Sequence, residues 1–161
     1  GEIVLKSYNV MTCYYKKPEE TAKSYNAEGW FLTGDMGYLR ADGYLRFLGR
    51  YKDMLKIGGE NVDPMEVEAY LQEQPDVLEA AVVGQPDERL TEVAVAFVVP
   101  RPGRNPSEED ILDYCRGKIA SFKVPRHILI IPKLPMTPTG KVRKVELRQQ
   151  AMATLGAGKT A

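Results

Sequence analysis

The sequence is short of cysteine and histidine, of net charge, and of long apolar runs. Its 161 residues hold only Cys13 and Cys115. They lie far apart, which argues against a disulfide framework or a zinc site, and both read as small core hydrophobes. The single histidine, His127, starts an apolar stretch, and no Ser-His or Cys-His nucleophile can be built around it. The 22 Lys and Arg equal the 22 Asp and Glu, so no basic funnel invites nucleic acid or an anionic membrane. No apolar run approaches membrane-spanning length. No signal peptide opens the chain, and the final Gly158-Lys-Thr-Ala161 matches no address. A cytoplasmic protein is the expectation. The chain begins Gly1-Glu-Ile-Val-Leu5, strand-like and without an initiating Met, and so reads as a fragment.

What is present divides in two. Residues 1–50 read as mostly β, with a strand at Glu2–Lys6 and a short helix opened by Pro18-Glu-Glu-Thr21. Asp42-Gly43 between alternating apolar runs predicts a tight hairpin with both turn residues at positive φ. Composition changes near Lys52. Gly58-Gly59 predicts a second hairpin, and Asp63-Pro64-Met65-Glu66 a helix start with Asp63 as cap and Glu66 completing a capping box. Val77–Gly84 and Val93–Val99 read as strands. Pro106-Ser107 opens a helix with Ile111, Cys115 and Ile119 on one face. His127–Ile131 reads as a last strand and Val142–Leu155 as a closing basic helix. The expected class is α+β: a hairpin plus a three-stranded sheet, covered by helices on one side.

Pro135-Met-Thr-Pro-Thr-Gly140-Lys141 superficially matches the end of a phosphate-binding P-loop. That motif needs glycine where Pro135 stands and Ser or Thr where Val142 stands, so it is rejected. What remains is a lysine on a proline-stiffened loop before a helix, suited to a mobile phosphate or carboxylate contact; a solvated surface lysine is the plainer reading. Asp35 could accept hydrogen bonds from a ribose diol or simply hold a turn. Arg50, Lys52 and Asp53 crowd charge at the boundary, where an ordinary ion pair would suffice. Gly58-Gly59 would let a thin ligand approach the backbone, although a hairpin turn alone explains it.

Order and spacing add more than any single motif. Gly1-Glu-Ile-Val-Leu-Lys6 is followed by Val10-Met11, Tyr14-Tyr15, Pro18-Glu-Glu-Thr21 and Gly29-Trp-Phe-Leu-Thr-Gly-Asp35. Asp42-Gly43-Tyr44, Gly49-Arg50-Tyr-Lys52-Asp53, Gly58-Gly-Glu-Asn-Val-Asp-Pro-Met-Glu-Val-Glu68 and Pro135…Gly140-Lys141 come next. This series resembles the adenylate-forming superfamily, which comprises acyl- and aryl-CoA synthetases, carrier-protein adenylation domains and beetle luciferases. The Gly-Gly-Glu-Asn-Val hairpin is most similar to AMP-forming acyl-CoA synthetases.

The resemblance implies the C-terminal part of such an enzyme: residues 1–51 as the tail of the large N-terminal domain, 52–161 as a small mobile lid. The implied reaction joins a small-molecule carboxylic acid to CoA, using ATP and Mg²⁺, through an acyl-adenylate. Lys141 would be the adenylation lysine. Asp35 and Arg50 would hold the nucleotide ribose, Lys52 would be the hinge, and Gly58 and Gly59 would line the pantetheine channel. Arg116, Lys118 and Lys123 are candidates for the CoA phosphates, and no residue is read as a metal ligand. The implied partner is the missing N-terminal domain, without which the fragment is expected to be inactive. Two other readings stay open: an adenylation domain loading a carrier protein, and a non-catalytic nucleotide- or partner-binding module of the same fold.

Overall fold

A computed structural model describes residues 1–156; Gly158–Ala161, read above for an address, lies outside them. The chain divides into two compact units, Gly1–Lys52 and Asp53–Ala161.

The first unit is an antiparallel sheet of β1 (Glu2–Leu5), β2 (Phe31–Leu39) and β3 (Leu45–Arg50), in that order, with α1 (Pro18–Lys23) inserted after β1. Pro18 occupies the first turn of α1, where its missing N–H costs nothing, and Glu19 and Glu20 follow it. The β2–β3 turn differs from expectation, because only Gly43 takes positive φ. The Gly43 N–H donates to Arg40 O at 3.0 Å and the Arg40 N–H to Tyr44 O at 2.8 Å. These bonds make a type I turn closed by a left-handed glycine, which leaves Asp42 unstrained. Cys13, expected in the core, is exposed.

The second unit contains β4 (Leu55–Ile57), β5 (Glu60–Val62), α2 (Pro64–Gln72), β6 (Val77–Asp87), β7 (Thr91–Pro100), α3 (Glu108–Cys115), β8 (His127–Ile130) and α4 (Lys144–Leu155). Its strands form one five-stranded sheet, β5-β4-β7-β6, with β8 parallel to β7. The expected separate hairpin is thus part of the main sheet, joined where Ile57 pairs with Thr91.

Helices cover both faces of this sheet, not one. Val67 and Leu71 of α2 with Ile111 and Cys115 of α3 pack on Ala80, Val82, Ala94, Ala96 and Val98. On the opposite face Leu147 and Ala151 of α4 pack on Ala81, Val83, Val95, Phe97 and Val99. Successive strand residues point to opposite faces, so unbroken apolar runs in β6 and β7 demand cover on both. Each fully buried Leu or Val stabilises the unit by about 1.5–3 kcal/mol before entropy is counted.

Helix caps depart from expectation in one respect. Asp63 caps α2 by accepting from Met65 N at 2.9 Å, but Glu66 completes no box, and its carboxylate takes Lys123 Nζ at 2.6 Å instead. The reciprocal box forms on α3 between Ser107 and Asp110. That helix ends at Cys115, so Ile119 packs against the same core from beyond the helix rather than along its face.

Candidate functional site

In the first unit, irregular strand pairing projects two charges. Between the pairs Glu2↔Met36 and Val4↔Leu32, β2 carries extra residues, Thr33, Gly34 and Asp35 facing Ile3 alone. Side chains stabilise this bulge: Thr33 Oγ1 donates to Ile3 O at 2.6 Å, and Gly34 N donates to Glu2 Oε1 at 2.9 Å. The register slips again between Met36 and Gly37, leaving Leu48 as the extra residue of β3. Bulges of this kind re-aim side chains. Asp35 pairs directly with Arg50 across β2 and β3, and Arg50 Nε meets Asp35 Oδ1 at 2.7 Å. Asp35 stands inside β2 rather than in a turn.

Arg50 ends β3 and Lys52 lies exposed in the short 3₁₀ turn Tyr51–Asp53. Immediately after it, Asp53 Oδ1 accepts from Arg148 on α4 at 3.0 Å. Lys52 therefore sits between two residues, each held by an ion pair inside its own unit.

The β4–β5 hairpin turns at Gly58 and Gly59, both at positive φ, a conformation that side chains with a Cβ resist. Gly58 N donates to Leu90 O at 2.9 Å, tying the tip to the β6–β7 turn. Beside it lies a largely apolar cleft of about 440 Å³, lined by Ile57, Gly58, Leu90, Phe122, Val124 and Arg126 among others. Sequence reading missed Arg126; the signal available was a basic residue directly before the β8 apolar run.

Lys141 stands on a hairpin closed by the bridge Met136↔Val142. Thr137 N donates to Lys141 O at 2.8 Å and Gly140 N to Thr137 O at 2.9 Å, the same pattern as the Arg40–Tyr44 turn. Thr137 Oγ1 also accepts from Lys141 N at 3.0 Å. Gly140 at φ +77 has nothing within 4 Å of a hypothetical Cβ, so it is the turn, not crowding, that requires glycine. The backbone of Lys141 is fixed on both sides, while its side chain is exposed and, among the described residues, enters no ion pair.

The three residues expected at the CoA phosphates each meet a different partner. Arg116 is held by Glu109 at 2.6 Å and Asp113 at 2.5 Å, contacts that keep its pKa above the ordinary arginine value. Lys118 lies over the Tyr114 ring at 4.5 Å, and Lys123 binds Glu66. Among the described residues no three His, Cys, Asp or Glu side chains cluster as a metal site, and no helix is long and apolar enough to cross a membrane.

This arrangement has counterparts in known proteins. The profile of the AMP-binding enzyme C-terminal domain matches residues 66–141. A 2-methylpropanoate–CoA ligase of Humulus lupulus is 46% identical over 99% of the chain and 30% of its own length. An indoleacetate–CoA ligase of Aromatoleum aromaticum is 45% identical over 92% of the chain and 29% of its own length. The chain thus spans about 30% of the length of the curated relatives it matches. ATP-bound MatB of Rhodopseudomonas palustris superposes with a TM-score of 0.89 at 35% identity, covering 97% of this chain and 31% of MatB. Apo MatB, with the same coverage and 36% identity, scores 0.66. Residues 66–141 are an AMP-binding enzyme C-terminal domain, and nearly the whole chain is homologous to the C-terminal part of acyl-CoA ligases.

Proposed function

We propose that the parent of this chain joins a carboxylic acid to CoA through an acyl-adenylate, with residues 52–161 as a swinging lid and residues 1–51 as the tail of the nucleotide-holding domain. The observation that carries this reading is Lys141: a backbone locked by hydrogen bonds and an ammonium left without a partner among the described residues. In adenylation a carboxylate oxygen attacks the α-phosphorus of ATP and pyrophosphate leaves. Two anions approach one another, so a cation aimed at the reacting oxygens lowers the barrier. In the second step the CoA thiol, losing its proton, attacks the acyl carbon and AMP departs with the electrons of the broken acyl–oxygen bond, after the lid has carried Lys141 away from the pocket.

Asp35 and Arg50 fit the ribose role as an acceptor and a donor already held side by side. Gly58 and Gly59 would leave room for pantetheine, and the cleft beside them supplies an apolar wall. Arg126 on that cleft is a better-placed cation for CoA phosphates than Arg116, whose guanidinium is already held by two carboxylates. Among the described residues no three His, Cys, Asp or Glu side chains gather, so Mg²⁺ would be held chiefly by ATP and the rest of the parent. The fragment alone should catalyse no ATP–pyrophosphate exchange with any acid.

Lys141→Ala in the full-length parent tests the division of labour. Loss of a charge-assisted contact of about 2–4 kcal/mol at the transition state predicts a 30- to 1,000-fold slower adenylation. Preformed acyl-AMP plus CoA should still give thioester at the parental rate. Equal loss of both half-reactions would refute the assignment.

A further inference from the structure

Lys141 can act as an aimed cation only if its hairpin is held against the body of the second unit. The Thr137–Lys141 hydrogen bonds shape the loop but do not attach it to anything else. Leu134 and Val142, at the two ends of the hairpin, pack on the core beneath α4, and a polar attachment is added just downstream at Lys144, the first residue of α4. Its Nζ meets Glu68 Oε1 of α2 at 2.7 Å, and the two side chains are only 19% and 15% exposed. The same oxygen accepts Val82 N of β6 at 2.8 Å. One carboxylate thus joins a helix on one face of the sheet, an edge-strand amide, and the start of the helix on the other face.

We propose that Glu68 is a positioning residue for Lys141, acting through Lys144. The inference rests on Lys141 being the adenylation lysine. The Glu68–Lys144 pair lies wholly inside the second unit, so it travels with that unit in any swing. Its loss matters only when the Lys141 ammonium must meet the reacting oxygens, because small misplacements of a catalytic group slow the chemistry steeply. A purely structural brace would weaken both half-reactions together. A positioning pair weakens one.

Glu68→Gln separates these roles, since the amide oxygen still accepts from Val82 N while the charge that holds Lys144 is gone. The assay uses the full-length parent, with pyrophosphate exchange measured for a panel of short-chain, medium-chain and aryl acids, and thioester formation measured from synthetic acyl-AMP and CoA. Glu68→Gln and Lys144→Met should each slow adenylation about tenfold and leave thioester formation within about twofold, both measured below the Tm of each variant. The double variant should be no worse than either single, as expected for coupled partners, and Lys144→Arg should restore most of the rate. Equal loss in both half-reactions, or in neither, overturns the proposal. Lys141→Ala in parallel tells the two failures apart. If that variant is selective and Glu68→Gln is not, the positioning role alone falls. If Lys141→Ala is itself unselective, or no acid supports exchange in the parent, the reading beneath it falls and takes this inference with it.

Discussion

Asp63 caps α2, yet burial pushes its pKa above the ordinary carboxylate value, outweighing the Met65 N–H and the nearby Lys144 and Lys123, which pull it down. A raised pKa in the folded state means the native protein holds the proton more tightly than the unfolded chain. The stability this contributes is therefore full below the unfolded value of about 3.9 and is lost as pH rises through the folded value. Asp63→Asn keeps the capping oxygen and abolishes the titration. Relative to the parent, it should gain stability as pH rises from the acid range to neutrality, measured by urea unfolding at several pH values. Asp63→Ala removes the cap itself and should cost about 1 kcal/mol at neutral pH. A gain for Asn in acid, fading at neutrality, would contradict the sign. The cap was legible because its partners are its immediate neighbours. The fate of Glu66 was not, since the lysine that claims it, Lys123, comes from a distant part of the chain. Asp35 and Arg50 stood out as charges, but their pairing depends on a bulge against β1 and a register slip against β3, which local sequence does not announce.

Strands β6 and β7 explain what was and was not legible in the elements. Their apolar, β-branched composition marked them as strands, and Pro18, Pro64 and Ser107 marked the helix starts correctly. Which face each helix covers is a tertiary fact. Unbroken apolar runs did signal burial on both sides, and weighing that signal would have placed α4 opposite α2 and α3. The turn at Asp42-Gly43 was located correctly but assigned the wrong geometry, because Asp-Gly serves both two-residue loops and left-handed closures. Two separate cores make a quantitative expectation. Ile111→Val should cost about 0.5–1.5 kcal/mol on one face, and Leu147→Ala about 2–5 kcal/mol on the other. Because the sheet lies between them, their effects should add to within about 0.5 kcal/mol in a double-mutant cycle. Strong coupling would mean a single shared core.

At the scale of the whole molecule, the division after Lys52 raises the question of what a pivot there requires. Arg50 is held to Asp35 and Asp53 to Arg148, so the proposed pivot would turn between those two anchors, at Tyr51 and Lys52. Lys52 is exposed and its side chain forms no ion pair among the described residues, so substitution there leaves both anchors intact. Proline fixes φ near −65° and drives the preceding residue toward extended conformations. At Lys52 it would therefore disfavour the 3₁₀ turn of Tyr51–Asp53 and bias the pivot toward another setting. In the full-length parent, Lys52→Pro should leave one half-reaction near its normal rate and slow the other by at least about tenfold, roughly 1.4 kcal/mol of barrier. Lys52→Ala, which frees the backbone rather than constraining it, should spare both. If Lys52→Pro supports both steps normally, the hinge lies elsewhere. If it slows both alike while Tm is unchanged, the two steps do not depend on different settings of the lid.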